Sequence, residues 1–61
     1  MNAPTDPIVD WLGDAHRTIV AAGKLYVAGE RERAAVEVDD AIVVLREARA
    51  LLRRAIEQAD A

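Results

Sequence analysis

Cysteine, serine and phenylalanine are absent from the 61 residues, and the aromatic complement is Trp11 and Tyr26 alone. Without cysteine, neither a disulfide framework nor a thiolate zinc site can form. With no serine, no cysteine and no glycine-rich phosphate loop, nucleophilic and phosphoryl-transfer catalysis lack their usual parts, and the chain reads as a non-enzyme. Proline occurs twice and glycine three times, too few to punctuate a chain of short strands. No run of about 18 uncharged apolar residues occurs, so no membrane span is expected. No Lys/Arg-led apolar stretch opens the sequence, which leaves a cytoplasmic location as the expectation.

The residues that are plentiful, Ala, Val, Leu, Arg and Glu, favour helix, and the fold class is read as all-α. The net charge of −3 gives no overall attraction to nucleic acid or to an anionic membrane. A single small domain of this size buries little of its surface, and chains like it are usually held by disulfides, a metal or oligomerisation. Without cysteine the disulfide and the thiolate metal site are both closed, so oligomerisation is the expected means.

Residues 1–6 show no apolar periodicity and read as a disordered lead. Asp6 followed by Pro7 is a helix start, with Asp6 as N-cap and Pro7 at the first helical position, where its missing N–H costs nothing. The first helix is predicted over about 7–28. Its apolar residues Ile8, Leu12, Ala15, Ile19, Ala22 and Tyr26 recur at alternating steps of four and three, which keeps them on one stripe. Gly29 is the breaker, giving a turn at about 28–30 and a second helix over about 30–58. In that helix Ala34, Ala41, Ala48 and Ala55 recur every seven residues, matched by Ala15 and Ala22 in the first. Small side chains in register let two helices approach closely, and the expected architecture is a two-helix antiparallel hairpin spanning 7–61. Leu12, Ile19, Val38 and Leu45 are expected to fill the space beside the alanines. Acidic residues gather in the first half of the second helix and Arg46, Arg49, Arg53 and Arg54 in its second half, a gradient that opposes the helix dipole favourably.

At about 1.5 Å per residue the second helix outruns the first by roughly 10 Å, leaving Leu51, Leu52 and Ile56 without cover. Burying each such side chain is worth about 1.5–3 kcal/mol, large for a chain this small. The expected solution is a two-fold homodimer forming a four-helix bundle, its interface drawn from Ile8, Leu12, Ala15, Ile19, Val38, Ala41, Leu45, Ala48, Leu51, Leu52, Ala55 and Ile56. The other solutions are a lead folded over the overhang and a frayed helix end.

His16 is the single histidine, and the residues three and four positions away, Leu12, Gly13, Ile19 and Val20, offer no second ligand on its face. No metal and no cofactor are expected. Two His16 side chains meeting across a dimer axis would make assembly respond to pH. Glu37, Asp39 and Asp40 point in different directions about a helix and read as a solvated surface rather than a convergent acid pair. Arg46, Arg49 and Arg53 form a basic stripe, which suits interchain pairing with partner acids or, in a rival reading, contact with phosphates in a nucleic-acid-binding dimer. No aromatic accompanies the stripe for base stacking, and Glu57 can pair with Arg53 at i,i+4. Trp11 lies off the main stripe and is the candidate anchor in a partner contact, or else a cover over the end of the second helix. Val36 and Val43 interrupt the otherwise polar back of the second helix.

Residues 22–26 through Gly29 to Ala34, Val38 and Ala41 resemble one tetratricopeptide hairpin in Gly23-x-x-Tyr26 and in the spaced alanines. The two halves are out of register by one, both helices are too long, and no second repeat follows. The functional expectation is therefore a small non-catalytic protein–protein interaction module, a regulator, adaptor or inhibitor acting as a homo-oligomer. A hairpin completing another protein's bundle is the remaining alternative.

Overall fold

A computed structural model describes residues 6–60. Two helices, α1 (Pro7–Val27) and α2 (Arg31–Asp60), fold back on each other as a hairpin. The expected lead falls, apart from Asp6, on residues 1–5, which lie outside the described residues, and so does the reading in which that lead covers the overhang.

The Asp6 carboxylate accepts from the Ile8 amide at 2.9 Å, and Asp6 itself has extended backbone, so the cap works as the sequence implies. At the other end the Gly29 amide donates to the Tyr26 carbonyl at 3.0 Å and the Glu30 amide to the Leu25 carbonyl at 2.9 Å. This double closure is a Schellman motif, and it requires the left-handed conformation that Gly29 adopts at φ 84°. A Cβ on Gly29 would meet nothing within 4 Å, so the cost of a side chain there is backbone strain alone. Gly29→Ala is expected to destabilise the hairpin by about 1–2 kcal/mol, and Gly29→Asn by less, because asparagine tolerates this conformation better. Thermal denaturation followed by circular dichroism measures both, and equal midpoints for alanine and glycine would show that the turn is not held as described.

Among the described residues every buried one is an alanine: Ala15 and Ala22 on α1, and Ala34, Ala41 and Ala48 on α2. The two heptad-spaced alanine rows are the seam. Ala55, one repeat further along the α2 row, is exposed. The reason is length, since α2 has 30 residues to the 21 of α1 and at about 1.5 Å each extends roughly 13 Å further.

The flanks of the seam differ from the sequence expectation. Half-buried side chains lie on one flank, Trp11, Thr18 and Leu25 from α1 with Glu37, Val44 and Leu51 from α2, each triplet at seven-residue spacing. Leu12, Ile19, Val38 and Leu45, expected to fill space beside the alanines, lie on the opposite flank and are between 41 and 51 % exposed. One flank of the seam is thus closed and the other open.

Charge placement also departs in part from the dipole reading. Glu32 stands in the first turn of α2, but its last turn carries no base. A helix dipole acts within about one turn of each end, so Arg46, Arg49 and Arg53 are too far inside for it to explain them.

Candidate functional site

The open flank is a continuous apolar face. On α1, Leu12, Ile19 and Tyr26 are spaced by seven and share one side; on α2, Val38, Leu45 and Leu52 do the same, with Ile42 and Ile56 beside them. All eight are exposed. Near the turn the two rows enclose a shallow groove of about 470 Å3 lined by Ile19, Ala22, Gly23 and Tyr26 from one helix and Arg31, Ala34, Ala35 and Val38 from the other. The Arg31 guanidinium stands 6.0 Å from the centre of the Tyr26 ring, at the outer limit of a cation–π contact. A second depression lies on α2 among Ile42, Leu45, Arg46 and Arg49.

The area exposed is large for the mass. A compact monomer of this mass exposes about 3,900 Å2, whereas this chain exposes 5086 Å2, roughly 1,200 Å2 more. The molecule is only 11 Å across in its thinnest direction, a single layer of helices, so it has no interior in which a larger side chain could be enclosed.

No protein-family model, curated protein or solved structure matches this chain.

The sequence-predicted residues divide into three groups. Ala15, Ala41 and Ala48 are buried within the hairpin, whereas Leu12, Ile19, Val38, Leu45, Leu52, Ala55 and Ile56 remain on the surface; Ile8 and Leu51 are half-buried. Trp11 is half-buried on the closed flank, away from the open face. His16 is exposed. Val36 and Val43, on the outer side of α2, are exposed at 56 and 58 %.

The electrostatics are those of a solvated surface. Among the described residues two ion pairs form, Asp14 with Arg17 at 3.3 Å and Glu30 with Arg33 at 2.8 Å, each between exposed neighbours one turn apart. Such pairs contribute a few tenths of a kcal/mol. Among the described residues, Arg46, Arg49 and Arg53 make no ion pair, and the i,i+4 pairing open to Arg53 and Glu57 is not formed. Among the described residues no three His, Asp or Glu side chains converge on a point that could hold a metal ion, and no helix is long and apolar enough to cross a membrane.

The arginines taken alone form a stripe of one sign. On the helix, Arg46 and Arg53 continue a line that begins with Glu32 and Asp39, four exposed residues at successive seven-residue intervals. The line is acidic at its first half and basic at its second. The signal was present in the spacing, but counting bases alone conceals it.

Proposed function

We propose that this chain is a non-catalytic protein–protein interaction module that works by burying its open apolar face against a second helical hairpin, with its own copy as the partner, to form a four-helix bundle. As such it serves as a regulator, adaptor or inhibitor rather than as an enzyme. The observation that carries the reading is the open face of Leu12, Ile19, Val38, Ile42 and Leu45 beside a seam made only of alanine. Five buried alanines cannot supply the apolar burial that offsets the ordering entropy of a chain this long, whereas the leucines and isoleucines left in water can. The surplus of roughly 1,200 Å2 per chain also suits an interface, which typically takes about 800 Å2 from each partner.

Light scattering across a dilution series, with helicity recorded on the same samples, tests this. The expected result is a mass of two chains that falls on dilution together with helical content. A fully helical single chain at every concentration would exclude self-association and leave a foreign helical partner for the same face.

A further inference from the structure

We infer that the second copy docks with its α2 antiparallel to α2 of the first, about a two-fold axis passing between Ile42 and Leu45, and that the stripe Glu32–Asp39–Arg46–Arg53 sets this register. The inference rests on the self-association proposed above and specifies its geometry.

The charge order is the first argument. The four side chains lie along the edge of the open face, all exposed and each seven residues from the next. Read in the opposite direction the stripe runs basic, basic, acidic, acidic. Against itself in antiparallel order it therefore places Glu32 beside Arg53 of the second copy and Asp39 beside Arg46 of the second copy, with the same two pairs repeated by symmetry. A parallel pairing would carry the two stripes to opposite sides of the helix pair, where neither could meet an opposite charge of the other. Charges at such flanking positions choose partner and orientation in helical pairs.

Apolar complementarity is the second argument. The same register stacks Ile42 of each copy on Leu45 of the other at the centre of the seam. Outward from there, Ala35 meets Leu52 of the second copy, so a large side chain lies against a small one. Arg49 falls opposite Val38 of the second copy, beside its Asp39, which supplies an acceptor to a cation that makes no ion pair among the described residues of its own hairpin. The third argument is the overhang. Leu52 and Ile56 lie at or beyond the start of α1 in their own chain, where they are 41 and 61 % exposed. In this pairing they reach the turn end of the other hairpin, over the groove between Tyr26, Ala35 and Val38. The extra length of one hairpin covers the shallow groove of the other, and both exposures are removed by one operation.

The test uses charge reversal at surface positions that make no ion pair within the hairpin. The double variant Glu32→Arg/Asp39→Arg has an all-basic stripe, and Arg46→Glu/Arg53→Glu an all-acidic one. Each alone is expected to dissociate on the order of a hundredfold more readily than the parent at low salt, with the difference shrinking at about 0.5 M salt. Mixed one to one, the two variants are expected to regain dimers that contain one copy of each, read by native mass spectrometry. A quadruple variant carrying all four reversals is expected to dimerise like the parent, which guards against either double variant being weak through misfolding. If the parent self-associates but both double variants do so equally well, this register is wrong while self-association stands. If the parent remains a single chain, self-association fails and the register fails with it.

Discussion

Ala41→Leu is expected to cost the hairpin most of its stability, although leucine is a good helix former and the position is apolar. Ala41 is 3 % exposed in a seam where alanine faces alanine, so the added isobutyl group has no cavity to enter. Either the helices separate, losing contact along both alanine rows, or the side chain adopts a strained rotamer. Overpacking in cores costs about 1–3 kcal/mol, and the upper end applies where both neighbours are backbone-close. For a domain this small that corresponds to a fall in melting temperature of about 10 °C or more. Ala41→Gly is the informative comparison. It keeps the close approach and loses only about 1 kcal/mol of helix propensity, so the expected order of stability is alanine, glycine, leucine. Ala55→Leu, on the same row but beyond the start of α1, should change little. An Ala41→Leu variant more stable than Ala41→Gly would show that the seam is not tight.

Leu45→Glu is expected to act on assembly instead. Leu45 is 41 % exposed in the single hairpin and sits at the centre of the face assigned to the second copy. Its replacement alters little inside one chain but removes two leucines from the dimer and places two carboxylates in their stead. At about 1.5–3 kcal/mol for each leucine, the dissociation constant rises about a hundred- to ten-thousand-fold. Sedimentation or light scattering at micromolar concentration should then report single chains of reduced helicity. Val36→Glu provides the contrast, since Val36 lies on the outer side of α2 and its change should leave the mass unaltered. If Val36→Glu disperses the assembly and Leu45→Glu does not, the back of α2 is the interface and the open face has another use.

Much of the hairpin was legible without coordinates. Asp6-Pro7 and Gly29 mark its punctuation because each has a backbone role that few other residues fill. The seven-residue recurrence of alanine located the seam because only small side chains permit that approach. The flank on which the larger residues lie was not legible. Leu12 and Ile19 share a stripe with Ala15 and Ala22 to within the width of a helical face, and so do Trp11 and Thr18. Periodicity names the face, while the rotation of each helix about its own axis decides which side of that face closes, and this rotation depends on both helices at once. The acidic half of the arginine stripe was overlooked for a different reason. Glu32 and Asp39 were weighed as helix-start charges and Arg46 and Arg53 as a basic edge, so one line was divided between two explanations.

The all-alanine seam also constrains how this sequence can drift. At each of its five positions nearly every substitution adds volume, so the seam resists change, while the open face accepts exchanges among leucine, isoleucine, valine and methionine at modest cost. What persists over long divergence is then the spacing of the commonest small residue, and what varies is the part with individual character. A distant relative of this chain would be recognised first by the interval between its alanines.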